Sequence, residues 1–161
     1  MAKEKIIKTN ALRILDVNKI IYEARAYEAP EGFLDGVSVA HAVGLDPSVV
    51  FKTLVLQGAS KEYLVCVIPV ALELDLKKVA KHFGEKRVDM IPVKDITPIT
   101  GYIKGGCSPV GMKKPFRTAI AEQAKALVQI TVSAGKVGLQ MTLPVADLVR
   151  ITRAEFAELT E

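Results

Sequence analysis

The chain has 161 residues, half of them hydrophobic and a quarter charged, which excludes a disordered chain and one too short to bury a core. A net charge of +4 favours a polyanionic partner but is shared by many soluble enzymes. No export signal opens the sequence, and its apolar runs fall short of the ~20 residues that cross a bilayer. We therefore expect one cytoplasmic domain spanning residues 1–161, with no membrane contact.

Local patterns predict a helix, a strand and a second helix in the first part of the chain. Thr9 can cap the first helix, and residues 20–27 alternate in polarity as a strand does. Residues 28–37 contain proline and glycine and predict a loop. Ser38 can then cap a short helix that ends at Gly44.

The middle of the chain predicts a hairpin followed by a helix. Residues 50–57 and 63–70 are rich in strand-forming residues, and the short polar segment between them can turn the chain back. Asp75 can cap a helix over residues 76–83, with its apolar side chains on one face and Gly84 as its stop.

The last part of the chain predicts strands and a closing helix around a long loop. Residues 87–91 form a strand, 127–132 and 139–142 form a strand pair, and 147–159 form the helix. Strands flanked by helices without regular βαβ spacing indicate an α+β fold with a mixed, largely antiparallel sheet.

One lysine lies on the apolar face of a predicted strand. By period-two alternation, Lys52 shares a face with Val50, Leu54 and Leu56. One interpretation places Lys52 in a cleft, where its ammonium meets phosphate or carboxylate, because lysine is rarely buried without a partner. The other places it at a sheet edge, from which its stem reaches water. The pattern favours neither.

Residues 101–111 form a loop that concentrates glycine and proline. Glycines let the backbone approach a ligand closely, and successive amide N–H groups can hold an anion or a developing oxyanion. The alternative is a surface connection without function, but a loop of this length is more often functional. The segment lacks the Gly-Lys-Ser/Thr ending of a phosphate-binding P-loop.

A second small-residue loop spans residues 133–138. Its Lys136 could contact phosphate, although a plain hairpin turn explains the segment equally well. Lys113 and Lys114, directly after the first loop, are better candidates for nucleic-acid phosphates.

Conventional hydrolytic and metal-dependent mechanisms are disfavoured. Cys107 could be a nucleophile, but the sequence places no base or cation beside it, so a bystander thiol is favoured. His41 and His82 each fall near a predicted helix C-terminus, which suits a structural role. Ser108 and Ser133 have no identifiable triad, and neither cysteines nor carboxylates show metal-ligand spacing. We expect no metal and no cofactor.

Four segments together resemble the YbaK/EbsC family of Cys-tRNA(Pro) deacylases, relatives of the editing domain in bacterial prolyl-tRNA synthetases. The likeness covers nearly the whole chain. It implies a compact mixed-sheet α/β domain whose cleft holds the 3′ end of a charged tRNA. The segments are VFKTL at 50–54, LDLKKVA at 74–80, GY with GGCSP at 101–102 and 105–109, and SAGK with GL at 133–136 and 138–139.

The resemblance also implies roles for individual residues. Lys52 would bind near the terminal adenosine and the ester, and the backbone of the loop from Gly105 through Gly106 to Pro109 would grip the amino acid and its carbonyl. Tyr27 would form a pocket wall. The remaining implied substrate contacts are Thr53, Cys107, Ser108, Ser133, Gly135 and Gln140, and the tRNA-backbone candidates are Lys104, Lys113, Lys114 and Lys136.

In this family the thiol of the substrate's own cysteine can attack its ester and release a thiolactone, so no protein nucleophile is needed. Holding thiol and ester together supplies effective molarity, and loop amides can stabilise the oxyanion. The resemblance therefore predicts a trans-editing hydrolase for Cys-tRNA(Pro), with prolyl-tRNA synthetase as a candidate partner. The alternatives are a deacylase for another small aminoacyl-tRNA, such as Ala-tRNA(Pro), and a noncatalytic tRNA- or partner-binding module.

Overall fold

The computed structural model describes residues 8–29 and 35–161, in which helices and strands alternate along the chain. The helices are α1 (Asn10–Val17), α2 (Gly36–Ala42), α3 (Leu76–Phe83), α4 (Val93–Thr100) and α5 (Val145–Thr152), with short 3₁₀ turns at Pro47–Val49 and Glu122–Ala126. The strands are β1 (Glu23–Ala26), β2 (Phe51–Gly58), β3 (Tyr63–Pro69), β4 (Val88–Met90), β5 (Arg117–Ala121), β6 (Gln129–Lys136), β7 (Leu139–Pro144) and β8 (Glu155–Ala157).

The strands form two sheets rather than one. A three-stranded sheet has the order β1-β7-β6 and is antiparallel throughout. A five-stranded sheet has the order β4-β2-β3-β5-β8, with antiparallel pairs from β4 to β3 and parallel pairs from β3 to β8. A parallel bridge between Val50 and Thr131 connects the two. The predicted mixed, largely antiparallel α+β fold is confirmed.

One apolar cluster is shared by both sheets and the helices that cover them. Leu56 and Ile120 come from the larger sheet and Met141 from the smaller, and each is fully buried. Leu12 of α1 and Val79 of α3 pack into the same cluster, so the core fixes the two sheets relative to each other.

Two predicted helix caps are confirmed. The Thr9 side chain accepts a hydrogen bond from the Leu12 N–H at 3.2 Å. Asp75 accepts from the N–H of Lys77 at 3.0 Å, and Gly84 ends α3 with φ of 72°. Both signals are local, because a cap satisfies backbone groups within one turn of itself.

Two other predictions at helix ends are wrong. The cap of α2 is Asp35 rather than Ser38, whose N–H and hydroxyl both donate to the Asp35 carboxylate at 2.9 Å. The closing helix ends at Thr152 instead of residue 159, because Arg153 adopts a left-handed conformation with φ of 56°. The chain then forms β8.

The region between residues 91 and 127, predicted as a long loop rich in glycine and proline, contains a helix and a strand. Helix α4 forms there with Pro98 inside it, and β5 follows the glycine loop to pair between β3 and β8. The strand predicted over 20–27 is confined to Glu23–Ala26, and residues 30–34 of the predicted 28–37 loop lie outside the described residues. Across the described ranges, no helix is long and apolar enough to span a membrane.

Candidate functional site

A pocket opens where one edge of β2 lacks a neighbouring strand. On its other edge, β2 pairs with β3 over residues 51–57. On the open edge, β4 pairs only with residues 56–58, and the bridge at Val50 leads to β6. In the described chain no strand covers residues 52–54 on this side, and they border a cavity of about 410 Å³. That volume lies within the range of about 300–1,000 Å³ found for small-molecule sites.

The walls of the cavity come from distant parts of the chain. Tyr27, directly after β1, and strands β6 and β7 approach from the smaller sheet, and β2 and β4 belong to the larger sheet. The glycine loop at 104–107, the start of α2, and α4 complete the lining. The residues singled out from the sequence that line this cavity are Tyr27, Lys52, Thr53, Lys104, Gly105, Cys107, Ser133 and Gln140.

Lys52 lies on the pocket wall, as the cleft interpretation predicts. Its side chain is 28% exposed, and its Nζ lies 3.8 Å from Oε1 of Glu73. The Glu73 side chain is 76% exposed, so this ion pair is largely solvated and worth little. A bound anion could therefore replace Glu73 at the Lys52 ammonium without a large penalty.

Two buried polar groups, the Thr53 hydroxyl and the Gln140 amide, belong to residues on the pocket wall. The Oγ1 atom of Thr53 is buried, and none of the described residues hydrogen-bonds it. Gln140 on β7 is only 5% exposed and lines the same cavity. Because buried polar atoms in proteins are nearly always paired, the Thr53 hydroxyl is a candidate hydrogen-bond partner for a ligand in the cavity that its residue lines.

The prediction of a second loop over residues 133–138 is wrong for residues 133–136, which belong to β6, because they pair with β7 around a bulge. The glycine loop is held against this end of the β6–β7 hairpin by close backbone packing. A Cβ atom at Gly106 would lie 2.9 Å from the Val137 nitrogen, so a larger residue there would push the two backbones apart. Gly135 has φ of 97° and packs on the ring of Tyr102, to which an added Cβ would approach within 2.7 Å. Gly106 and Gly135 therefore shape the site without lining it.

Tyr102 is a residue to which the sequence assigned no role. It is buried, and its hydroxyl donates to the Val110 carbonyl oxygen at 2.6 Å, which fixes the loop from inside. Burial raises the pKa of Tyr102 to about 12, so it remains a donor at neutral pH. The sequence signals were its place in the glycine-rich loop and in the GY segment of the family resemblance.

The pocket thiol is protonated at neutral pH. Burial raises the pKa of Cys107 to about 11. A thiol needs a lowered pKa to act as a nucleophile, so its state agrees with the bystander interpretation. His41 and His82 lie in the last turns of α2 and α3, and neither lines the pocket.

Several candidate residues lie elsewhere. Ser108 is fully buried, and its hydroxyl accepts from the Val110 N–H at 3.2 Å. Pro109 and Lys114 line a second cavity of about 220 Å³. Lys113 donates to the Pro98 carbonyl oxygen at 3.1 Å, and Lys136 is exposed at the end of β6.

The chain is similar to known proteins over nearly its whole length. The model of the aminoacyl-tRNA editing domain family matches residues 35–151, which include most of the pocket wall. EbsC of Enterococcus faecalis, a proposed Cys-tRNA(Pro)/Cys-tRNA(Cys) deacylase, is 45% identical over 161 residues, covering 99% of this chain and 98% of EbsC.

Solved structures show the same fold at lower identity. A proposed trans-editing enzyme for prolyl-tRNA synthetase superposes with a TM-score of 0.82 at 20% identity, covering 97% of this chain and 99% of that one. The hypothetical protein APE2540 superposes with a TM-score of 0.86 at 18% identity, covering 95% and 100%. With the family match across most of its length, the chain belongs to the aminoacyl-tRNA editing domain family.

Proposed function

We propose that this protein is a trans-editing deacylase that removes a wrong amino acid from tRNA, with Cys-tRNA(Pro) as its preferred substrate. The observation that carries the proposal is the convergence of Lys52, Thr53 and Gly105 on one cavity beside an uncovered strand edge. Membership of the editing-domain family and the name of the relative EbsC support the choice of substrate class.

The proposed roles follow from the chemistry of each group. The Lys52 ammonium attracts the charged 3′ end and lies near the ester. The backbone around Gly105, which lines the cavity, stabilises the negative charge that develops on the carbonyl oxygen as the ester is attacked. The Gly106 N–H donates to the Ile103 carbonyl oxygen at 3.0 Å, so Gly106 acts by holding the loop in shape. Thr53 and Gln140 hydrogen-bond the amino acid, since both are buried polar groups on the cavity wall.

We further propose that the attacking group is the thiol of the substrate itself. The pKa of about 11 keeps Cys107 protonated, whereas the ordinary pKa of a cysteine thiol is 9.0. The substrate sulfur forms a bond to the carbonyl carbon, the ester C–O bond breaks, and the tRNA hydroxyl regains the proton lost by the thiol. The first product is then a thiolactone, which makes the step lyase-like, and alanine lacks the group that performs it.

The setting of the reaction is part of the proposal. Residues 1–161 act as one cytoplasmic editing domain without a metal or cofactor. Prolyl-tRNA synthetase is a candidate partner that would select the tRNA for this protein. Lys104, Lys114 and Lys136 are candidate contacts to tRNA phosphates, and Lys113 would first leave the Pro98 carbonyl.

The test is deacylation of labelled Cys-tRNA(Pro) and Ala-tRNA(Pro) by wild-type protein, Lys52→Ala and the control Lys81→Ala on the exposed face of α3. We expect cysteine-selective release with thiolactone as first product, and a loss of about 100-fold in Lys52→Ala alone, as for other oriented electrostatic groups. Release of alanine as fast as cysteine would instead favour a general small-residue deacylase. Binding of tRNA without release of either would indicate a noncatalytic module.

A further inference from the structure

One wall of the pocket is apolar and open to solvent. It is formed by Met90 at the end of β4, by Ile91 between the two elements and by α4, and we call Met90, Ile91, Val93 and Ile96 the β4–α4 wall. Ile91 is buried, and Met90 and Val93 are the exposed members. Met90 is 46% exposed and Val93 is 57% exposed, although both line the cavity. Val93 and Ile96 are three residues apart on α4 and therefore lie on the same helix face. Exposed apolar side chains grouped on a cavity wall mark a binding surface.

The polar groups of the cavity come from other elements. Lys52 and Thr53 belong to β2, Gln140 to β7 and Gly105 to the glycine loop. Gln140 is 5% exposed, so the region around it is enclosed. The cavity thus has an enclosed part, in which the polar groups lie among buried apolar side chains such as Val50 and Phe51, and an exposed apolar wall at Met90 and Val93.

This division assigns different parts of an aminoacyl-tRNA end to different walls. Discrimination of a small side chain needs an enclosed pocket, because an open wall does not limit size. The amino acid and its ester therefore belong with the polar groups. What remains for the exposed wall is the nucleoside to which the ester is attached, and its base has a flat apolar face.

We propose that the β4–α4 wall is a nucleobase subsite, on which the terminal base of the aminoacyl-tRNA lies face-on while the ester is held at Lys52. This inference rests on the proposed function and extends it to residues that the sequence did not single out. Lys104 lines the same cavity and supplies positive charge on the path of the phosphate that precedes the terminal nucleoside. The apolar side chains of the β4–α4 wall contact the face of the base and make no hydrogen bonds to its edges. Any terminal base should therefore bind there.

The first test combines a protein change with a substrate change. The protein variant is Met90→Ser with Val93→Ser, and the control is Val128→Ser, which is 85% exposed and outside the pocket. The substrates are Cys-tRNA(Pro) with its normal terminal adenosine and the same tRNA ending in an abasic ribose. Wild-type protein and the control should lose about tenfold in kcat/KM when the base is removed, the value expected for losing one apolar base contact.

The double variant should already be about tenfold slower on the normal substrate and should lose nothing further when the base is removed. If removal of the base lowered kcat/KM equally in the wild type and the double variant, the subsite would be overturned. It would also be overturned if removal of the base left kcat/KM of the wild type unchanged. Circular dichroism and urea unfolding check the fold, and Val93→Ser alone serves if the double variant is unstable.

A binding measurement separates this inference from the proposed function. The probes are fluorescently labelled trinucleotide CCA and the same strand with an abasic 3′ end, followed by anisotropy. If the wild type cleaves no ester but binds CCA more tightly than the abasic strand through the β4–α4 wall, the proposed function fails and the subsite stands. If cleavage occurs while neither cleavage nor binding depends on the base, the subsite fails and the function stands.

Discussion

The two halves of strand β2 differ in what covers their outer edge. The half from Leu56 to Gly58 is paired with β4, and the Glu85 carboxylate lies over Gly58 while accepting hydrogen bonds from Ser60. The half around Lys52 and Thr53 has no such strand and borders the cavity. The site therefore lies where the larger sheet is incomplete, and the glycine loop, α4 and the smaller sheet form its walls in place of a strand.

The largest effect on stability should come from shortening a buried side chain in the half of β2 that pairs with β4. Leu56 is fully buried in the shared core, so Leu56→Ala should lower the free energy of unfolding by about 2–5 kcal/mol. Leu54 is only partly buried beside the cavity, and Leu54→Ala should cost clearly less. Urea unfolding of both variants measures the difference, and equal losses would contradict the contrast between the two halves.

The next effect concerns the loops that wall the open half. Gly106→Ala should destabilise the protein by about 1–3 kcal/mol and reduce deacylation, because the new Cβ would meet the Val137 backbone. Gly84→Ala is the control, since its φ of 72° is strained for alanine but open space surrounds it. It should cost about 1 kcal/mol and leave turnover intact. Urea unfolding curves measure the stability of both variants, and initial deacylation rates measure their turnover. Equal turnover in the two variants would contradict the prediction.

Thr53→Val should separate activity from stability. Valine keeps the shape and removes a buried hydroxyl that no described residue pairs, so the free energy of unfolding should stay constant or rise by up to about 1 kcal/mol. If the hydroxyl binds substrate, kcat/KM should fall by about tenfold. A clear loss of stability with unchanged kcat/KM would show that Thr53 has a structural role.

The pocket thiol should respond to pH in a defined direction. Burial raises the pKa of Cys107 from 9.0 to about 11, so alkylation by iodoacetamide should be slow at neutral pH and accelerate toward pH 11. Because the pKa is raised in the folded state, the associated stability is full below pH 9.0 and is lost as the pH rises toward about 11. Mass spectrometry can follow Cys107 beside Cys66, whose pKa is raised to about 12. Fast alkylation at pH 7 would indicate an activated thiolate.

The smallest effect belongs to the covered end of β2. Hydrogen bonds from Ser60 hold the pKa of Glu85 below its ordinary value of 4.5. The stability that they contribute is therefore present above pH 4.5 and is lost as the pH falls through the lowered folded pKa. Glu85→Gln should lower the urea midpoint slightly at pH 7, and the difference from wild type should vanish in acid. A difference that grows in acid would refute this assignment.

Features fixed by short-range physics could be predicted. The β2–β3 hairpin and helix α3 follow from alternation, apolar spacing and caps at Asp75 and Gly84. Helix α4 and strand β5 could not be predicted, because Pro98 and the glycines around them lower local propensity. Tertiary packing decided these elements, as β5 gains its hydrogen bonds from β3 and β8.

The sequence by itself determined the α+β class, the placement of Lys52 on an apolar strand face, and the presence of the glycine-rich loop at residues 101–111. It also showed the family resemblance, because the matching segments are contiguous runs of residues. Only the tertiary structure decided that the Thr53 hydroxyl has no hydrogen-bond partner among the described residues, that Gly106 packs on the β6–β7 turn, and that Lys113 binds a backbone carbonyl. Each of these depends on residues far apart in the chain, and local propensity carries no information about which distant atoms meet.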